Sequence, residues 1–369
     1  MVVPYFNSAV VYASLFAFMA VGLTLTYMTT KVPNFAYGSF VTIGIYTSYT
    51  MWKINGIGPY YASLVAFLLA GGSSAVMYVL VLRPLAKRGS SLVSLMMATF
   101  GIDIGFIGIF GIYTDYLRER YTLNDTKQFF QLQADFNFGG GPGIVYVAPA
   151  ALVLVTVALY LLLTRTKFGV AMRASVENPS LARVLGINVE RVYVVSWVLA
   201  GGFAGIAGSF YTLWLPGGTS SGSDLIVEVF ASSILGGLTS IFGAILGGVV
   251  IGGSEIVVGT DLTTGFGAIG VAAFGGILIF LGVYLWKKRA RIRVLGVLGI
   301  LVGAYVLLEA LSGIALDPLV WGLVGGFGSE AIAYQKAVPL LIMVASLLIL
   351  PKGLVSINWR RLFRRERKT

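Results

Sequence analysis

The chain contains no cysteine and no histidine. That excludes a disulfide framework, thiolate or imidazole metal sites, Cys or His nucleophiles and a His proton relay. Charge is scarce as well: 11% of the 369 residues are charged, against about 25% in an ordinary soluble domain. Neither a soluble globular enzyme nor a disordered chain fits that balance. No Gly-x-x-x-x-Gly-Lys-Ser/Thr run occurs, so any ATP consumed in its work is bound by another chain.

What is present is apolar. Hydrophobic residues make up 57% of the chain, and the mean hydropathy is +0.88. The 48 glycines suit membrane helices, which approach closely through small residues. The net charge of +11 lies in short basic clusters between apolar runs, a pattern that sets orientation in a bilayer.

A spanning helix needs roughly 20 mostly apolar residues. Such runs fall near 8–29, 34–52, 60–82, 91–113, 143–163, 191–214, 225–239, 241–258, 266–286, 294–315 and 336–355. They predict an all-α, polytopic transmembrane helical bundle of about eleven spans. The 225–239 run is short, carries Glu228 and could instead be re-entrant. Basic clusters at 83–88, 165–191, 287–293 and 360–368 belong in the cytoplasm. Only a full crossing of 225–239, by a continuous or a broken helix, keeps all of them there. The N-terminus is then outside and the C-terminus cytoplasmic. The first apolar run lacks a basic n-region and a cleavage site, so it reads as a retained span in the cell membrane. The 114–142 loop is near neutral, suits the exterior and is too small for a domain of its own. Recognition of a dilute solute then falls to a separate protein.

The 164–190 loop contains strong local helix punctuation. Asn178 is a good N-cap, Pro179 suits the first helical position and Gly186 can take the left-handed C′ position. Leu181, Val184 and Leu185 share one face, while Ser180 and Arg183 fall on others. A helix of about two turns with a narrow apolar stripe is marginal alone and needs a partner surface. It can be a connector packed on its own membrane domain or a docking helix for a cytoplasmic protein.

The run FGVAMRASVENPSLARVLGINVERV resembles the cytoplasmic loop of permease subunits of branched-chain amino acid ATP-binding-cassette importers. Further stretches agree in order: VGLTLTYMTTKVPNFAYGSF, RPLAKRGS, AGGFAGIAGSF, ILGGLTSIFGAILGGVVIGGSE and LPKGL. The likeness covers most of 8–258 and 336–356. Tyr37 stands where many members carry His. Residues 259–335 have no recognised counterpart and read as an insertion supplying two extra spans beside nine family-like ones. The domains expected are a permease body at 1–258, the inserted pair at 259–335, and a final span with basic tail at 336–369.

The resemblance implies a transport subunit rather than an enzyme, with no cofactor. Its expected partners are cytoplasmic ATPase subunits, a second homologous permease and an extracytoplasmic solute-binding protein. The loop helix becomes a coupling helix, with Asn178, Pro179, Leu181, Arg183, Val184, Leu185 and Gly186 meeting the ATPase. Branched-chain amino acids are the implied solute, while relatives handle urea and amides, nucleosides or sugars.

Asp103 lies mid-span, where a carboxylate must face a bundle interior or water. Glu228, Glu255 and Glu309 also fall in or near spans. Such groups serve either a pathway or structural pairing. Pro33, Asn34 and Gly38 interrupt the first two spans, and Pro216, Gly217 and Gly218 the sixth and seventh. Broken helices expose backbone groups to a polar solute at membrane depth. A translocation path is expected along Asn34, Phe35, Gly38, Asp103, Gly236, Gly243 and Gly247. The last two form a small-x-x-x-small pair, which also fits plain close helix packing. A self-contained transporter, ion-coupled through Asp103 and Glu228, is the competing reading. No catalytic Ser/Lys, His/Glu or paired-Asp motif supports an intramembrane enzyme.

Overall fold

A computed structural model describes residues 2–138, 141–264 and 337–349. The chain divides into two compact units: Met1–Ala9 with Gly253–Leu341, and Val10–Gly252 with Ile342–Thr369. The first unit, among its described residues, is helical; the expected spans at 266–286 and 294–315 lie outside those residues. The second unit carries the architecture that follows.

Helix α1 runs Val2–Thr30 and stops where Lys31 takes a left-handed backbone (φ 57°), just before Pro33. Helix α2, Tyr37–Asn55, is closed by left-handed Gly56. Helix α3, Pro59–Met77, opens on a proline that suits the first turn. It continues through a π-helical turn, Tyr78–Leu82, into α4, Arg83–Lys87. Pro84 explains that turn: its ring has no N–H and crowds the carbonyl four residues back, so the ladder widens by one residue. Helix α5, Leu92–Tyr121, is capped by the Ser91 hydroxyl accepting from the Ser94 amide at 3.2 Å. Helices α6 (Ile144–Arg165), α7 (Lys167–Glu177), α8 (Pro179–Val184) and α9 (Val189–Tyr211) follow. The remainder comprises α10 (Ser221–Asp224), α11 (Ile226–Gly236), α12 (Ile241–Thr264) and α13 (Ala337–Ile349).

Among the described residues, five helical stretches are long and apolar enough to cross a membrane: Phe6–Thr30, Pro59–Lys87, Leu92–Tyr121, Ile144–Arg165 and Val189–Tyr211. Helix α2 has the length, 19 residues, but not the apolarity. Its burial explains why: Tyr37–Ile45, with the exception of Ile43, and Tyr46–Tyr49 are all buried inside the unit. A helix enclosed by protein can carry Ser39, Thr42, Thr47 and Ser48, because protein rather than lipid meets its hydroxyls. Segment 225–239 is not one span-length helix. Its helix α11 has eleven residues, about 16 Å against the ~30 Å of hydrocarbon, and α10 precedes it with a break at Leu225.

Helices α2, α3 and α9 meet at close range through small residues. A Cβ on Gly44 would strike the Gly205 backbone, one on Gly208 the Val41 carbonyl and one on Gly201 the Ala70 carbonyl. Backbones this near exclude any side chain between them, which fixes the crossing. Trp197 of α9, fully buried, stacks on Tyr78 with ring centroids 5.4 Å apart.

Helix α5 extends eight residues beyond the expected end at 113, so the loop after it shortens. That loop is strapped to the helix ends. Strand β1 (Gln128–Phe129) pairs antiparallel with β4 (Gly217–Gly218), and β2 (Asn137–Phe138) with β3 (Gly141–Pro142). Buried Gln131 accepts from Thr212 Oγ1 at 2.6 Å and Ser48 Oγ at 3.1 Å. Asp135 accepts from the Tyr60 hydroxyl at 2.6 Å and the Ile144 amide at 2.9 Å. Asp125 takes the Tyr49 hydroxyl at 2.7 Å and pairs with Lys53 at 3.0 Å.

Candidate functional site

Three elements converge on Asp103. The first is the α1–α2 junction, where α1 ends at Thr30 and Tyr37 starts the next helix. The Phe35 amide there donates to Thr99 Oγ1 on α5 at 3.2 Å, one turn before Asp103. The second is α5 itself, which presents Asp103 on its buried face, only 6% exposed. The third is the short helix α10, which follows the Pro216–Gly218 break. Ser39 on α2 donates to Asp103 Oδ1 at 2.5 Å, and Ser223 on α10 donates to the same oxygen at 3.0 Å. The carboxyl group thus ties α5 to α2 and α10.

Gly38 and Gly222 make that convergence possible. A Cβ on Gly38 would lie 2.5 Å from the Gly222 carbonyl oxygen, and one on Gly222 would strike Gly38 in turn. The two backbones are therefore in direct contact, and the Gly222 amide donates to Thr42 Oγ1 at 3.2 Å. Asn34 sits beside this junction, 1% exposed, and neither atom of its amide has a hydrogen-bond partner among the described residues. An unpaired buried amide of this kind costs about 1–3 kcal/mol. Phe35 roofs the junction, its ring 5.3 Å from Phe230 of α11 and 6.2 Å from Phe100 of α5.

Of the expected path residues, Asn34, Phe35, Gly38 and Asp103 thus come together. Gly236, Gly243 and Gly247 lie in another feature, the tight α11–α12 hairpin. Gly236 abuts the Gly243 backbone and Gly247 the Ser232 carbonyl. The turn is made by Gly237, φ 98°, and capped by the Ser240 hydroxyl accepting from the Gly243 amide at 3.1 Å. The hairpin packs on α1, where Gly248 meets Ala17 and Thr24 hydrogen-bonds Ser233 at 2.6 Å. Glu228 on α11 and Glu255 on α12 are buried. Tyr37 is fully buried and donates to the Ala200 carbonyl at 3.4 Å.

The 164–190 loop holds two helices rather than one. Helix α7 begins at an N-cap, Thr166, whose hydroxyl accepts from the Gly169 amide at 3.2 Å. It is fastened to the end of α6, with the Arg173 guanidinium donating to the Leu163 carbonyl. Met172 and Ser175 are buried, and the Tyr193 hydroxyl donates to the Ser175 carbonyl at 3.3 Å. Helix α8 then leaves that platform. Asn178 Oδ1 accepts from the Leu181 amide at 3.0 Å, Pro179 occupies the first position, and Gly186 is left-handed at φ 82°. Only Ala182 faces inward, 1% exposed. Leu181, Val184 and Leu185 are 55%, 83% and 70% exposed. Helix α8, capped at its N-terminus and followed by left-handed Gly186, thus presents three aliphatic side chains outward.

The chain matches the family described as branched-chain amino acid transport system, permease component, over residues 5–281. It is 35% identical to the probable branched-chain amino acid transport permease protein LivH of Methanocaldococcus jannaschii, over 97% of this chain and 94% of that one. The high-affinity branched-chain amino acid permease LivH of Escherichia coli is 26% identical over 70% of this chain and 86% of its own. The xylose/arabinose import permease XylH of Sulfolobus acidocaldarius is 27% identical over 69% of this chain and 68% of its own. No solved structure matches.

Proposed function

The chain belongs to the permease-component family of branched-chain amino acid transport systems, and from that premise we propose that it is the membrane subunit of an ATP-driven importer of branched-chain amino acids. A separate binding protein delivers the solute, a second homologous permease completes the pore, and separate cytoplasmic ATPases drive it. The observation that carries the reading is α8: Leu181, Val184 and Leu185 stand outward from a helix that its own caps and α7 hold rigid. Burying them against an ATPase groove supplies about 1.5–3 kcal/mol each before the costs of association.

Charge distribution supports an exterior N-terminus, a cytoplasmic C-terminus and about eleven spans, two of them contributed by 259–335 between the 1–258 body and the 336–369 end. On this orientation α8 lies at the cytoplasmic face and the strapped loop after α5 at the exterior. The route is assigned to the junction of Asn34, Phe35, Gly38 and Asp103, with Gly236, Gly243 and Gly247 as a closely packed hairpin that moves as one piece. Asp103 does not bind a solute carboxylate, since like charges repel; it attracts an amino group or orders water.

Reconstitution tests the reading. Vesicles containing this chain, its permease partner and the ATPases are expected to accumulate leucine only with ATP and the loaded binding protein. Leucine uptake by this chain alone, driven by an ion gradient, would instead establish the ion-coupled reading. Uptake of a pentose in place of leucine would move the solute to the sugar class of the more distant relative.

A further inference from the structure

A second polar feature lies at the end of the bundle that bears α8. It is a cavity of about 520 Å³, within the roughly 300–1,000 Å³ of ligand sites. The last turn of α1, the π-helical turn with α4, the start of α5, α8 and the start of α9 enclose it. Arg83 and Lys87 reach it from α4, Arg183 from α8 and Glu190 from α9. Arg83 Nε lies 2.7 Å from Glu190 Oε2, and Lys87 Nζ lies 3.8 Å from Oε1. Neither Arg83 Nε nor Glu190 Oε2 has an aligned hydrogen bond, so the pair is held by charge alone. Arg183 has no ion pair among the described residues. Three cations face one carboxylate, a surplus of two positive charges. Leu82, Leu95 and Val189 form the apolar part of the lining.

A cationic cleft with an apolar floor suits an amphiphile with an anionic head. The elements that line it also carry bare apolar flanks: Leu80 is 68% exposed on the π turn, and Leu92 and Val93 are 50% and 65% exposed at the start of α5. Basic pockets between membrane helices at the cytoplasmic side bind anionic lipid headgroups, and arginine pairs well with a phosphate. We propose that this cavity is a binding site for the phosphate headgroup of an anionic phospholipid, held by Arg83, Lys87 and Arg183, with its chains along the α3 and α5 flanks. Because Arg183 lies between Leu181 and Val184, the bound lipid fixes the orientation of the docking helix. The site rests on the proposed orientation, and its regulatory consequence on the proposed docking role of α8.

Native mass spectrometry of the full-length chain in detergent tests lipid binding without the ATPase, so its failure is separable from failure of docking. Phosphatidylglycerol is expected to bind in preference to phosphatidylcholine. Lys87→Gln and Arg183→Gln should each weaken it about fivefold, from the interaction of one basic residue with an anionic lipid surface. Arg88→Gln, which removes the same charge from an exposed neighbour outside the cavity, should leave it unchanged. Equal binding of the two lipids, or equal loss in Arg88→Gln, would overturn the site. Displacement of phosphatidylglycerol by millimolar inorganic phosphate would also overturn it, as the mark of a site for small soluble anions.

Discussion

Ser39 on α2 and Asp103 on α5, 64 residues apart in sequence and both buried, share a 2.5 Å hydrogen bond. The same carboxylate oxygen takes Ser223. One side chain thereby holds together the broken-helix junction assigned to the solute route.

Asp103→Asn keeps the size of the side chain and one acceptor but removes the ionisable carboxyl. A charged acceptor is worth about 1 kcal/mol more per bond than a neutral one, and two bonds meet here. Assembly with the partner subunits should persist, and ATP-coupled uptake in vesicles should fall roughly tenfold or more. Wild-type uptake over a range of loaded binding protein would remove the carboxyl from the mechanism.

Two adjacent glycines should respond with opposite signs. A Cβ on Gly71 would lie 2.6 Å from the Val198 carbonyl oxygen of α9, whereas Gly72 has nothing within 4 Å. Gly71→Ala should therefore destabilise by about 1–3 kcal/mol through overpacking. Gly72→Ala should stabilise by about 0.5–1 kcal/mol through helix propensity. Thermal melts in detergent read both; equal shifts would contradict the α3–α9 contact.

The absence of cysteine makes the orientation directly readable. Single cysteines at Asn124 and Arg88, in loops at opposite ends of α5, should label from opposite sides with an impermeant reagent. Asn124→Cys is expected to react from outside intact cells and Arg88→Cys only after permeabilisation. Reaction of both from outside would reverse the assigned topology.

The strapped loop should loosen in acid. Burial raises the Asp125 carboxyl, but the Tyr49 hydroxyl and Lys53 ammonium outweigh it and hold the group below 3.8. A folded pKa below the unfolded one gives stability that is complete above about pH 4 and lost as pH falls through the folded value. Asp125 is partly exposed, 45% by side chain, so screening keeps the contribution small. Hydrogen exchange of residues 122–130 should rise below about pH 4 in the wild type. Asp125→Asn should show faster exchange at neutral pH and a flatter profile. Identical profiles would exclude Asp125 as the strap.

Local chemistry made α8 readable. Asn178, Pro179 and Gly186 act on the backbone within a few residues, so caps and outward face follow from the sequence. Helix α7 carried similar signals, an N-capping Thr166 and the spacing of Met172 and Ser175, but it lies directly after a longer apolar run and merges with it. Helix α2 was legible near 34–52, but the reason for its many hydroxyls was not: only its enclosure by α3, α5, α9 and α10 accounts for them. Asp103 was legible as a costly group. Its partners were not, because Ser39 and Ser223 are ordinary residues until tertiary packing brings Gly38 against Gly222. The glycines at 236, 243 and 247 signalled close packing correctly, while which backbone each meets is settled only in three dimensions.

The proposed docking of an ATPase on α8 can be tested at one side chain. Leu185 is 70% exposed, so Leu185→Asp costs the isolated chain little in folding. It would place a carboxylate in an apolar groove, where an unpaired charge is strongly unfavourable. Co-purification of the cytoplasmic ATPase with membrane-inserted Leu185→Asp, quantified against wild type, tests this most directly. Loss of the ATPase with normal insertion and melting of the permease is expected; undiminished co-purification would exclude α8 as the docking surface.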